Sequence, residues 1–229
     1  MAGCDLSKSI SKNYFDEAAA TWDNEPRRVA LARAIGETIV RDAKPSQFMD
    51  LLDYGCGTGL LSLFLLPHVR SVTGADNSPG MLDVLRGKIA QAAVAGMRAI
   101  PLDLERDPVP AERFHMIVVS MAMHHVAQIE QILRRFWQLL LPGGTLCIAD
   151  LDTEPGSFHP PNVASHVHHH GFDRDVLKHQ LAAAGFAQTH DTTAITFTKP
   201  VADGREEEFS VFLIWAKRNA STDTTPPLG

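Results

Sequence analysis

The chain of 229 residues is 45% hydrophobic and 21% charged, the balance of a globular protein with one sizeable core rather than of a disordered or fibrous chain. A formal net charge of -6 argues against a polyanionic partner, and no nucleic-acid binding is expected. Three widely spaced cysteines, Cys4, Cys56 and Cys147, exclude a disulfide framework and any Cys-x-x-Cys metal site.

The start, Met1 to Ser11, is polar and lacks the apolar stretch of a signal peptide. No apolar run approaches the ~18 residues of a membrane span, so no span and a cytoplasmic location are expected. From Asn13 to Arg41 the chain reads as helices, with Val29, Leu31, Ala32, Ile35, Ile39 and Val40 at roughly helical spacing. Phe48 to Tyr54 is a buried strand, followed by a Gly-rich loop and a helix from Leu60 to Leu66. Ser71 to Asp76 is a second strand, and a helix runs from Pro79 to about Ala93 with Ser78 as its N-cap. Met97 to Leu102 and His115 to Ser120 are the next two strands, and Ile129 to Leu140 is an apolar-faced helix stopped by Pro142-Gly143-Gly144. Thr145 to Leu151 is a fifth strand, and Asp173 to Ala184 a helix closed by Gly185. His190 to Lys199 and Phe209 to Lys217 form a closing hairpin. Alternating strands and helices predict an α/β fold, a doubly wound, Rossmann-like, mostly parallel sheet of seven strands with an antiparallel edge and helices on both faces. Ligands in such sheets lie beyond the carboxyl ends of the strands.

Those ends carry the informative residues. Gly55, Gly57 and Gly59 follow an apolar strand and open a helix, which by itself is also what any strand-to-helix turn needs. The dinucleotide pattern fails because its third glycine falls on Leu60. A pyrophosphate needs a helix N-terminus free of anions, yet Asp53 immediately precedes the loop; a ligand with an amino or sulfonium cation suits it better. Asp76 ends the second strand, where doubly wound folds hold an acid for ribose hydroxyls. Asp103, between Leu102 and Leu104, is placed to accept from an adenine amino group.

In this order the segments Leu51-Leu52-Asp53-Tyr54-Gly55-Cys56-Gly57-Thr58-Gly59, Val72 to Leu82, Asp103-Leu104, Phe114 to Ser120 and Leu140 to Leu146 resemble the successive motifs of class I S-adenosylmethionine-dependent methyltransferases. The detailed likeness is to the small-molecule and ubiquinone/menaquinone-biosynthesis-like branch, over about Tyr14 to Lys217. The resemblance implies S-adenosylmethionine as cofactor and S-adenosylhomocysteine as product. It implies that Asp53 and the backbone of Gly55, Cys56 and Gly57 hold the methionine part, that Gly59 belongs to the same cofactor-binding loop and that Asp76 takes the ribose. Asn77, Met81, Asp103 and Leu104 would then flank the nucleoside, with Ser120 and Met121 against the methionine end. Tyr14 and Trp22 resemble part of a helical lid over the cofactor, a role to set beside plain helix packing. The implied organisation is a helical lid segment over residues 1–45, a Rossmann-like domain over 46–219 and a flexible tail over 220–229.

His124 and His125 follow the fourth strand, where a methyl acceptor meets the sulfonium, and are the candidate base or orienting residues. A second group, His159, His166, His168, His169 and His170, lies in the stretch that forms part of the acceptor pocket in the resembled family; His168, His169 and His170 are the candidate substrate contacts. No His-Glu-x-x-His spacing occurs, and no metal is expected. Ser120-Met121-Ala122-Met123 lacks the Asn/Asp-Pro-Pro-Tyr type of exocyclic-amine methylation, and no Pro-Cys of cytosine C5 chemistry is present. The expected activity is methyl transfer to an O, N, S or C nucleophile of a small molecule. A protein side chain, a non-catalytic cofactor-binding module and an NAD(P)-dependent oxidoreductase are the alternatives, and the oligomeric state is open.

Overall fold

A computed structural model describes residues 14–160, 163 and 167–219. The proposed tail over 220–229, Cys4 and His166 lie outside the described residues. Residues 14–18 are helical and run into a 3-10 helix, Ala19–Asn24. Glu25 is extended, as the position before a proline favours, and α1 (Pro26–Asp42) starts anew with Pro26 in its first turn. There follow β1 (Asp50–Tyr54), α2 (Leu60–Leu65), β2 (Ser71–Asp76), α3 (Pro79–Gln91) and β3 (Met97–Pro101). The chain continues as β4 (Phe114–Ser120), α4 (Ile129–Leu139), β5 (Leu140–Leu151), α5 (Arg174–Ala183), β6 (Phe186–Pro200) and β7 (Glu206–Arg218).

The seven strands form one sheet in the order β3-β2-β1-β4-β5-β7-β6. β7 runs antiparallel to both neighbours, and the other pairs are parallel. The order reverses between β1 and β4, and this is where the ligand crevice of a doubly wound sheet opens. Alternation along the strands sends neighbouring residues to opposite faces. Leu52, Tyr54, Ile117, Val119 and Ile148 pack with α4 and α5 through Leu133, Phe136 and Leu181. Leu51, Val118, Cys147 and Ala149 pack on the other face with Ile35, Leu61 and Leu85 of α1, α2 and α3. That is the expected three-layer α/β/α sandwich. No described helix is long and apolar enough to cross a membrane.

The helices expected before Arg41 are present as two stretches separated at Glu25. Two strand limits are corrected. β5 begins at Leu140, before Pro142-Gly143-Gly144, because Leu140 already pairs with Phe114; the register then shifts, and pairing resumes at Met116 with Thr145. β6 begins at Phe186 rather than His190, and an irregularity between Ala187 and His190 absorbs Gln188 at φ +51°.

Candidate functional site

The turn after β1 carries Gly55 at φ +73° and Gly57 at φ +53°, backbone that side-chain-bearing residues rarely adopt. At Gly55 there is also no room. A Cβ there would lie 2.7 Å from the Cβ of Ala122, which the turn after β4 pushes against the loop. That turn is itself strained, with Met121 at φ +52° and its N–H donating to Ala149 O at 2.8 Å. Two tight turns from β1 and β4 thus meet at the switch point, and both line one cavity of about 660 Å³.

Asp53 lies on the face of β1 that α2 covers and is 1% exposed. Ser62 Oγ donates to its Oδ2 at 2.5 Å. Burial, and secondarily the charge of Asp76, raise its carboxyl to about 7. Asp76, at the end of β2, accepts from Gly57 N at 2.8 Å and from Ser78 N at 2.9 Å, so it braces the glycine turn. Burial raises its carboxyl as well, against these backbone N–H groups. Each carboxylate oxygen keeps a further lone pair for a ligand hydroxyl. Asn77, Met81 and Cys56 complete this end of the cavity. The Cys56 thiol is buried and pushed well up by that burial, so it is a packing group rather than a nucleophile.

The N-terminal segment is pinned over this region. Asp16 Oδ1 accepts from Ser78 Oγ at 2.5 Å and Gly80 N at 2.9 Å, and Asp23 accepts from Thr58 Oγ1 at 2.6 Å and pairs with Lys88. Gly80 permits the approach, since a Cβ there would lie 2.8 Å from the Asp16 backbone. Tyr14 and Trp22 therefore line the cavity, Trp22 beneath the Arg28 guanidinium at 3.6 Å. Phe15 stands edge-on to His125 at 5.4 Å between ring centres.

Ser120, Met121, His124 and His125, on and after the turn that follows β4, line the same cavity. His124 sits in the one-turn 3-10 helix Met123–His125 and is 1% exposed. Its Nδ1 lies 2.7 Å from Asp150 Oδ1, and its backbone N–H donates to Asp150 Oδ2 at 3.2 Å. Asp150 is wholly buried in β5 and also accepts from Leu151 N at 2.8 Å. A carboxylate so placed accepts from Nδ1–H and keeps the proton on that nitrogen, which leaves the lone pair of His124 on Nε2. His159 faces it, ring centres 4.9 Å from His124 and 5.6 Å from His125. Burial, then the His124 and His125 rings, push the His159 ring down to about 3, so it is neutral. The loop that presents it is fixed by Glu154, whose Oε2 accepts from Gly156 N and Ser157 N at 2.8 Å and from Phe158 N at 3.1 Å.

Four expected site residues are placed elsewhere. Leu104 is fully buried in the core, its N–H donating to the Tyr54 hydroxyl at 3.0 Å, and only its neighbours Asp103 and Glu105 reach the cavity. Gly59 starts α2 at φ +82° and packs on Leu85 rather than on the cavity. His169 turns to Val126 O at 3.0 Å, and His170 lies 3.5 Å from Glu154 on the outside; of that trio His168 alone lines the cavity. Asp103 follows β3 rather than ending it and accepts from Glu105 N at 3.0 Å. Arg27 and Lys199, which line the cavity, and Asp150, which stands behind His124, were not singled out by sequence reasoning, while His159 of the second histidine group does line the cavity. The signal for Asp150 was present: an acid in the middle of an apolar strand is costly unless partnered.

Residues 51–144 match the family model described as a methyltransferase domain. The chain is 35% identical over 135 residues to an uncharacterized methyltransferase of Schizosaccharomyces pombe, covering 54% of this chain and 48% of the relative. It is 29% identical to the malonyl-[acyl-carrier protein] O-methyltransferase of Serratia marcescens, covering 64% and 54%. The chain thus spans about half the length of these curated relatives. Among solved structures, phosphoethanolamine N-methyltransferase 2 of Haemonchus contortus in complex with S-adenosyl-L-methionine superposes with a TM-score of 0.65 at 15% identity, over 80% of this chain and 52% of that one.

Proposed function

We propose, since this chain belongs to the class I S-adenosylmethionine-dependent methyltransferases, that it transfers a methyl group from S-adenosylmethionine to a nucleophilic atom of a small molecule. One observation carries the reading: the braced glycine turn with Asp76 and the histidine-walled end with His124 belong to a single cavity of about 660 Å³. That size falls within the roughly 300–1,000 Å³ of small-ligand sites. The residues fit the cofactor. Gly55 cannot carry a Cβ, Asp76 offers free lone pairs to ribose hydroxyls, and Asp53 is a buried acid beside the place for an amino group.

When bound, the sulfonium supplies an activated methyl group. The chain's own part is to hold and to exclude. Asp76 and the Gly55–Gly57 turn fix the cofactor's orientation, and Asp53 answers its positive charge. Tyr14, Phe15 and Trp22, held by Asp16 and Asp23, keep water from the reacting end. His124, oriented by Asp150, presents Nε2 to the acceptor side. Displacement at a methyl carbon gains chiefly from such alignment. Arg27 and Lys199 add positive charge to the acceptor end, which favours an acceptor bearing an anionic group.

The test is incubation of the purified chain with methyl-labelled S-adenosylmethionine and fractionated small metabolites. Label should pass to a small molecule with wild-type protein and fall at least tenfold with Asp76→Ala. Label found only on protein, or transfer equal in the two proteins, refutes the reading.

A further inference from the structure

We propose that His124, His125 and His159 bind one first-row divalent cation such as Zn²⁺ at the acceptor end of the cavity. Each ring offers one ligand atom, and the three atoms lie within 4.8 Å of one another. Two nitrogens, His124 Nε2 and His159 Nε2, are buried with no hydrogen-bond partner. An imidazole nitrogen withdrawn from water and left unpaired costs free energy, so two of them facing a third ring mark a place built for a ligand. A single base for proton transfer needs one such ring. Three converging imidazoles instead make the facial donor set of a zinc site with an open fourth position.

The outer shell agrees. Asp150 holds His124 through Nδ1 at 2.7 Å, the carboxylate–histidine arrangement that fixes a metal ligand's tautomer and orientation. Glu154 acts on the backbone instead, its Oε2 fixing the Gly156–Phe158 turn that carries His159. An ion bonded at about 2.0–2.1 Å would set tetrahedral donors roughly 3.4 Å apart, so the widest pair closes in by up to about 1.4 Å on binding. Side-chain rotation of the half-buried His125 and His159 supplies this.

What the ion does there rests on the methyl-transfer reading; its binding does not. A hydroxyl acceptor would take the open position, displacing water. Its O–H bond breaks, the proton passes to solvent, and an oxygen–metal bond forms, leaving an oxygen lone pair facing the cofactor end. A Lewis acid and the cationic Arg27 and Lys199 then select the same class of acceptor, one with an acidic oxygen.

The experiment is titration of Zn²⁺ and Co²⁺ into the full chain carrying no added histidine tag, with S-adenosylhomocysteine titrated into the same samples. One ion per chain is expected, removable by a chelator, with a visible Co²⁺ absorption band of low-coordinate geometry. His125→Gln and His159→Gln should each weaken binding at least tenfold, whereas His179→Gln on exposed α5 should not. Zinc-edge X-ray absorption of the wild type should show three imidazole neighbours, a readout that needs no variant to fold. Lack of stoichiometric binding, a sulfur neighbour, or equal affinity in His159→Gln and His179→Gln overturns the proposal. If S-adenosylhomocysteine still binds in that case, the methyl-transfer reading survives; cofactor failure with intact ion binding has the opposite meaning.

Discussion

Asp53→Asn separates what the buried acid costs the fold from what it contributes to the ligand. The carboxyl moves from its ordinary 3.8 to about 7, mainly through burial, and that difference corresponds to roughly 4 kcal/mol as an order of magnitude. Because the folded pKa is raised, the folded protein holds more protons than the unfolded chain between these two values. Stability therefore falls as pH rises through that window, and the full penalty applies above about 7. A cationic amino group nearby reverses the preference and favours the ionised form, so cofactor binding releases a proton below pH 7. The Kd for S-adenosylhomocysteine should then fall roughly thirtyfold between about pH 5.5 and about pH 8, levelling above 7. In Asp53→Asn that dependence should vanish. The variant keeps an amide oxygen for Ser62, and at pH 8 it should melt higher than wild type while binding ligand more weakly. Calorimetry across pH, with thermal melts of the empty protein, reads both effects. A wild-type affinity flat with pH, or an Asp53→Asn variant that binds as tightly at pH 8, would refute the pairing of Asp53 with ligand charge.

The strained turns give a second expectation. Gly55→Ala must tolerate φ +73° and a 2.7 Å approach to Ala122, a cost of about 1–3 kcal/mol, so its Tm should drop roughly 2–10 °C and cofactor binding should weaken. Adding Ala122→Gly should recover part of the loss, and no recovery at all would mean that the contact is unimportant. Asp150→Asn should leave S-adenosylhomocysteine affinity within about threefold, since Asp150 stands behind His124 and not at the glycine turn. Its effects should fall on turnover and on ion affinity, the latter by roughly 10–100-fold; an equal loss of cofactor binding would make Asp150 a plain structural residue.

The Gly55 end of the cavity was legible in the chain because it is local. Asp53, Gly55, Gly57 and Asp76 belong to strand-end turns whose residue types follow from backbone geometry and charge, and β1 and β2 bring them together directly. Ser78 as N-cap of α3 was readable for the same reason. The placement of Leu104 was not legible because it lies in a turn after β3: Asp103 lines the cavity, while the Leu104 side chain is buried in the core and its N–H donates to the Tyr54 hydroxyl. The acceptor end depends on long-range closure. His124 and His159 are distant in sequence, and they meet because β4 and β5 are adjacent while Glu154 folds the following loop back. Density of histidines along the chain pointed instead to His168–His170, of which two turn away.

The central claim is that the cavity between the Gly55 turn and His124 is a site for S-adenosylmethionine. Calorimetric titration of S-adenosylhomocysteine into the full chain at neutral pH tests it most directly. The account predicts one site per chain, weakened by one to two orders of magnitude in Asp76→Ala through loss of charge-assisted hydrogen bonds of ~1.5–3 kcal/mol. No heat of binding in the wild type, or the same affinity in Asp76→Ala, would contradict it.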